Sequence, residues 1–272
     1  MFEFINIIAM NILEKIVLEK RKEVDQRKLV FENSFISMPG YNRKCRSMVQ
    51  SILETEPSII AEFKRKSPSK GWIRKEAQAL EIVAGYEAGG AAGISILTDE
   101  YFFGGSSDDL ILASDILNIP ILRKDFIIDE YQVFESKAFG ADVILLIAAC
   151  LTKELVQQFA RVAKDLGLEV LLEIHNDEEL SHICAEVDLV GVNNRDLKTF
   201  KVDINHSIEL ASKVPADKIL ISESGLRDAS DIVLLQKHGF KGFLIGEKFM
   251  IKQDPGRALQ NFIDEIKAKD EN

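Results

Sequence analysis

Ile59-Ile60-Ala61-Glu62-Phe63-Lys64-Arg65-Lys66-Ser67-Pro68-Ser69 begins as an apolar run, turns abruptly into a cluster of charges and ends at a Ser-Pro turn. The run reads as a buried strand that delivers ionic groups to a site. Side chains alternate along a strand, so Glu62 and Lys64 lie on one face and Phe63 on the other. A carboxylate and an ammonium therefore leave the strand side by side. Taken alone, this is also the pattern of an ordinary ion pair on a solvated edge, and the rest of the chain has to decide between the two.

The same event recurs downstream. Apolar runs at 59–64, 93–98, 120–125, 142–147, 169–174, 188–193, 219–224 and 242–246 are each followed by a helix-like stretch. Near-continuous apolar strands separated by helices are the pattern of a parallel sheet covered on both faces. Eight such units predict an α/β fold, a (β/α)8 TIM barrel. A doubly wound sheet would place a glycine-rich dinucleotide loop after its first strand, where Arg65-Lys66-Ser67-Pro68 stands instead. The punctuation of the helices agrees: Ser107 reads as an N-cap, Gly140 and Gly167 as stops, and Asp254-Pro255 as the start of the last helix.

Ahead of the barrel, Ile12, Leu13, Ile16, Val17 and Val24 fall at helical spacing and predict an amphipathic helix over 12–28, capped by Asn11 with Glu14. A short helix is expected over 43–53. These stretches have no repeat partner, so residues 1–54 are read as an N-terminal helical extension packing on a catalytic barrel of residues 55–272. Residues 1–9 are expected to have no functional role.

Composition narrows the functional classes. A formal charge of −10 with 46% apolar and 29% charged residues describes a globular protein whose main partner is neither nucleic acid nor an anionic membrane. Cys45, Cys150 and Cys184 are odd in number and far apart, which indicates neither a disulfide framework nor a zinc cluster. No run approaches the roughly 18 apolar residues that cross a bilayer, and the first ten residues lack a positive signal-peptide region. A cytoplasmic location is expected.

In a barrel of this kind the functional face lies where the strands end, and those ends are polar. The first strand ends in Glu62 and Lys64, the third in Lys124-Asp125, the fifth in Glu173, the sixth in Asn193 with Arg195 beyond, and the seventh in Glu223-Ser224-Gly225. By parity Leu122 shares a face with Lys124, Leu171 with Glu173 and Ile221 with Glu223. The interior would thus be filled by aliphatic layers and topped by a ring of charge, in which two lysines offset three glutamates. Ser222-Glu223-Ser224-Gly225 and Leu244-Ile245-Gly246-Glu247 place small residues where backbone N–H groups can hold an anion, and such barrels often bind phosphate after strands 7 and 8. Phe102-Phe103 and Phe126 either cover the core or form an apolar slot for a planar ring. His175, His182, His206 and His238 show no ligand spacing and read as solvated or capping residues. Cys150 reads as a small buried hydrophobe.

Residues 59–69 closely resemble the signature of the indole-3-glycerol-phosphate synthases. Ile121-Leu122-Arg123-Lys124-Asp125-Phe126, Leu171-Leu172-Glu173-Ile174, Gly191-Val192-Asn193-Asn194-Arg195-Asp196-Leu197 and Ser222-Glu223-Ser224-Gly225 resemble later motifs of that family in the same order. The resemblance spans about residues 11–268. It implies a carboxy-lyase of tryptophan biosynthesis that closes 1-(2-carboxyphenylamino)-1-deoxyribulose 5-phosphate to indole-3-glycerol phosphate with loss of carbon dioxide and water. It further implies no cofactor and no metal, a phosphorylated small molecule as substrate, a monofunctional chain, and a monomer or weak homodimer. Carried over position by position, Lys124 takes the general-acid place, and Glu173, Glu62 and Lys64 take places implicated in dehydration. Lys64 and Arg195 would meet the anionic carboxylate, and Asn193 and Glu223 the hydroxyls. Ser67 would contribute to substrate binding, and Phe103 and Phe126 would wall the ring slot. Ser224, Gly225, Gly246 and Glu247 would hold phosphate, although Glu247-Lys248 departs from members with small residues there. The alternatives are another phosphate-binding barrel, such as phosphoribosylanthranilate isomerase with a Cys and Asp pair, or a catalytically silent phosphosugar-binding barrel.

Overall fold

A computed structural model of the chain describes residues 10–31, 35–195 and 201–270, without the side chains of residues 30 and 31. The expectation for residues 1–9 lies outside the described residues, as do Asp196 and Leu197 of the sixth-strand motif. Eight parallel strands close into a barrel: β1 (Ser58–Phe63), β2 (Gly93–Leu97), β3 (Ile121–Lys124), β4 (Val143–Ile147), β5 (Glu169–Ile174), β6 (Leu189–Asn193), β7 (Ile219–Glu223) and β8 (Phe240–Ile245). Each pairs with its predecessor, and β8 pairs with β1 to complete the ring.

Alternation along these strands separates two apolar layers. Ile60, Leu122, Leu145, Leu171, Ile221 and Leu244 point inward and fill the barrel. Their neighbours, among them Ile59, Ile94, Ile144, Val170, Val190 and Phe243, point outward into the layer under the helices. Six inward side chains at roughly 1.5–3 kcal/mol each make the interior a packed core rather than a pore. Chemistry is thereby confined to the strand ends.

The covering helices form where apolar residues recur at helical spacing. In α6 (Lys153–Asp165), Val156, Phe159, Ala160 and Ala163 make one buried face, Thr152 caps the start by accepting from Leu155 N at 3.3 Å, and Gly167 turns the chain away at φ 75°. The other outer helices of eight or more residues are α3 (Ala79–Ala88), α4 (Ser107–Ile116), α5 (Tyr131–Ala138), α7 (Ile204–Ala211), α8 (Ala229–Lys237) and α9 (Pro255–Asp270); single-turn helices Glu100–Phe103 and Glu247–Met250 follow β2 and β8. After β5 the connection carries only a 3₁₀ helix, Asp177–His182, where the repeat pattern predicts a helix-like stretch. The N-cap of α4 is Ser106, one residue before the expected Ser107, and its hydroxyl accepts from Asp108 N at 3.1 Å. β8 begins at Phe240, not 242, because the Phe240 ring is buried in the outer layer.

Two helices precede the barrel. α1 (Ile12–Phe31) starts as its sequence predicts: Asn11 Oδ1 accepts from Glu14 N at 3.0 Å, and Asn11 N donates to Glu14 Oε2 at 2.8 Å. The helix expected over 43–53 is shorter, α2 (Met48–Glu54), because Arg43 and Arg46 stay extended to reach the buried Asp142 at 2.7 and 3.3 Å. α2 lies across the entrance of the barrel at the N-terminal ends of the strands, where Met48 and Ile52 join the inner core. The Glu169 carboxylate meets its first turn, accepting from Met48 N at 2.8 Å and Val49 N at 3.1 Å. No helix among the described residues is long and apolar enough to cross a membrane.

Candidate active site

The opposite end of the barrel is open and holds a cavity of about 810 Å³. Glu62, Lys64, Ser67, Phe103, Lys124, Phe126, Glu173, Asn193, Arg195, Glu223, Ser224, Gly225, Gly246 and Glu247 all line it. For Glu62, Lys124, Glu173 and Glu223 strand parity is the reason: a residue two places beyond an inward aliphatic faces inward as well, at the rim.

Lys124 is the centre of the ionic ring. Its ammonium donates to Glu223 Oε2 at 2.5 Å and to Glu173 Oε2 at 3.2 Å. Burial favours the neutral amine, but the charges of Glu223, Glu173 and Glu62 outweigh it and raise the Lys124 pKa, so the group stays cationic. The two carboxylates diverge. Glu223 is raised above the usual carboxylate range, by burial and by the neighbouring charges of Glu173 and Glu62, which together exceed the pull of Lys124. Glu173 is buried too, yet Lys124, His175 and Asn193 hold it below that range. One carboxyl thus leans toward holding a proton and the other toward ionisation, an arrangement that suits paired acid and base work. Glu223 Oε1 is buried and accepts no hydrogen bond among the described residues. At the end of β1, Lys64 Nζ donates to Glu62 Oε1 at 2.5 Å.

The cavity ends in two different environments. Toward β7 and β8, Ser224 and Gly225 both adopt left-handed backbone, φ 67° and 71°. A non-glycine residue there costs about 1–2 kcal/mol, and Asn194 Nδ2 holds the turn by donating to the Ser224 carbonyl at 2.7 Å. A tight turn of this kind lets backbone N–H groups approach an anion closely. Lys70, Arg227 and Lys248 stand around it. The Glu247 carboxylate pairs with Lys70. Toward β2 and β3, Phe103 and Phe126 face each other with ring centroids 5.9 Å apart, and Ile12, Leu13 and Ile16 of α1 join them along the wall.

Residues 13–262 match the family model described as indole-3-glycerol phosphate synthase. The chain is 50% identical over 258 residues to an indole-3-glycerol phosphate synthase of Bacteroides thetaiotaomicron, covering 94% of this chain and 99% of the relative. It is 43% identical over 259 residues to one of Caldanaerobacter subterraneus, with the same coverage. The chain belongs to the indole-3-glycerol phosphate synthase family. Among solved structures, a chain of the tryptophan synthase complex of Pyrococcus furiosus aligns at a TM-score of 0.58 over 78% of this chain and 98% of that chain; at 15% identity it speaks to the barrel fold alone.

Several residues around this synthase-family site escape a reading by motif. His175 is neither solvated nor a cap. It is mostly buried just past the end of β5, with Nε2 3.1 Å from Glu173 Oε1 and Nδ1 3.2 Å from Glu179 Oε2. The carboxylates two residues before and four residues after it were the available signal. Lys20 of α1, 1% exposed, forms ion pairs with Glu23 at 2.8 Å, Asp99 at 3.1 Å and Asp125 at 2.9 Å. The same Asp125 lies 3.1 Å from Arg123 Nη2, so α1 is tied to the residues flanking Lys124. The Cys150 thiol, raised to about 12 by burial, packs as a hydrophobe, as expected from its place after β4.

Proposed function

We propose that the cavity binds 1-(2-carboxyphenylamino)-1-deoxyribulose 5-phosphate and closes it to indole-3-glycerol phosphate. The supporting observation is the placing of one largely buried ammonium, Lys124, held cationic by its carboxylate neighbours, between an aromatic slot and a tight left-handed turn in the same cavity. A substrate with an aromatic end and a phosphate end would set its carbonyl over that ammonium.

Phe103 and Phe126 wall the anthranilate ring, while Ser224, Gly225, Gly246 and the backbone of Glu247 receive the phosphate. The Glu247 side chain, turned to Lys70, leaves its own N–H available. Arg195 and Lys64 meet the substrate carboxylate, Ser67 lines the cavity beside them, and Asn193 and Glu223 take the hydroxyls. The ring carbon that bears the carboxylate attacks the ketone carbon, whose oxygen takes a proton from Lys124. Loss of carbon dioxide returns the electron pair to the ring. The new hydroxyl leaves as water with a proton supplied from the Glu62–Lys64 pair, and Glu173, held ionised, removes the proton whose loss completes the indole. In this reading the segment ahead of residue 55 is an extension of the barrel of residues 55–272, since α1 supplies part of the ring slot.

The purified chain, given this compound alone, should develop indole fluorescence as carbon dioxide is released. A folded sample that forms no indole would favour a silent phosphosugar-binding barrel.

A further inference from the structure

Glu173 is approached from two sides. Lys124 Nζ, 3.2 Å from Oε2, and Asn193 Nδ2, donating to Oε1 at 3.1 Å, belong to the substrate cavity. His175 Nε2 lies 3.1 Å from Oε1, too far off line to make a hydrogen bond, and the ring lines an adjoining cavity of about 350 Å³ that shares Asn193 and Arg195 with the first. It therefore touches the carboxylate without facing the substrate.

The ring has its own support. Glu179 Oε2 lies 3.2 Å from Nδ1 and accepts from the backbone N–H of His175 at 2.7 Å. Glu179 Oε1 accepts from Asn176 Nδ2 at 2.8 Å, and His206 Nε2 lies 3.0 Å from the His175 carbonyl. Nδ1 shares a hydrogen bond with Glu179, and at Nε2 a carboxylate oxygen 3.1 Å away opposes a bare lone pair, so carboxylates at both nitrogens favour a ring with a proton on each. We propose that Glu179 and His175 are a positioning pair that fixes the Glu173 carboxylate in place and ionised, by presenting an imidazolium to the oxygen that Asn193 also holds. The assignment rests on the reading of Glu173 as a catalytic carboxylate and deepens it. A carboxylate next to both Lys124 and Glu223 has a competing course, sharing a proton with its neighbour, and a fixed positive charge behind it opposes that course.

The charged and titratable groups facing Glu173 are Lys124, Glu223, His175 and the Cys150 thiol. Those around His175 are Glu173 and Glu179, with Arg195, Lys201, Asp203 and His206 about the second cavity.

The test compares His175→Gln, Glu179→Gln and Glu173→Gln with the parent chain by steady-state kinetics across pH, with thermal unfolding measured on each. His175→Gln should lower kcat by about tenfold, leave KM within about threefold and move the acid limb of the kcat profile up by about one pH unit. Glu179→Gln should move the limb in the same direction by less. Unmoved limbs in both variants, whether kcat is retained or falls only in step with thermal stability, overturn the positioning pair while Glu173→Gln remains inactive. Full turnover in Glu173→Gln overturns the reading of Glu173, and the pair with it.

Discussion

A Cβ on Gly191 would stand 2.1 Å from Oε1 of Glu223 on the adjacent strand. Glycine at this position of β6 is therefore the space in which the Glu223 carboxylate lies, one strand across from Asn193. Gly191→Ala should swing that carboxylate away from Lys124 and lower kcat by about ten- to a hundredfold, the penalty typical of an ångström's misplacement. Steady-state kinetics with a circular dichroism control would check this; parental kcat in a folded variant would mean that Glu223 moves without consequence.

Lys20 joins α1 to the barrel through charges that water does not reach. Lys20→Met leaves Asp99 and Asp125 without that cation, and breaking a buried pair from one side costs about 3–5 kcal/mol. Urea unfolding should register a loss of that size. A change below about 1 kcal/mol would place the pair in the class of weak surface bridges.

His175 links stability to pH. In the folded chain burial acts to lower its pKa, but Glu173 and Glu179 more than offset this and raise it from the ordinary 6.5 to about 10. A group raised on folding binds its proton more tightly in the native state, so its contribution is complete below about pH 6.5 and lost as pH rises through about 10. Urea unfolding across that window should show a decline in the parent chain that His175→Gln flattens. Equal slopes for the two would contradict the charged state assigned to the ring.

Trp72, the single tryptophan, is half exposed on the short hairpin Lys66–Ser67 and Gly71–Trp72 that follows β1. The turn of this hairpin carries Lys70, which is bound to Glu247 beside the proposed phosphate turn. Inorganic phosphate should compete for Lys70 and change Trp72 emission saturably, with weaker binding in Gly246→Ala. Emission that stays flat as phosphate is raised would argue that the hairpin does not sense this end of the cavity.

The parts of this site that obey strand parity are legible in the sequence. Glu62, Lys124, Glu173 and Glu223 each stand two residues beyond an inward aliphatic, and knowing the strand is enough to place them. The Ser224-Gly225 turn is legible for a similar reason, since small residues at a strand end signal an unusual backbone. Lys20 is not legible, because on an amphipathic helix rich in charges it looks solvated, and only the docking of α1 on Asp99 and Asp125 buries it. His175 lies one residue past β5, where parity no longer applies, and its burial depends on the 3₁₀ turn that brings Glu179 back. Lys70, Arg227 and Lys248 come from the connections after three different strands and meet only when the barrel closes.

In the proposed reaction Lys124 is the acid at the centre of the ring. The most direct measurement is the turnover of 1-(2-carboxyphenylamino)-1-deoxyribulose 5-phosphate by Lys124→Ala against the parent chain, followed by indole fluorescence at saturating substrate. Removal of a positioned acid predicts a kcat lower by about a hundredfold or more with a modest change in KM. Unchanged turnover in the folded variant would contradict the account.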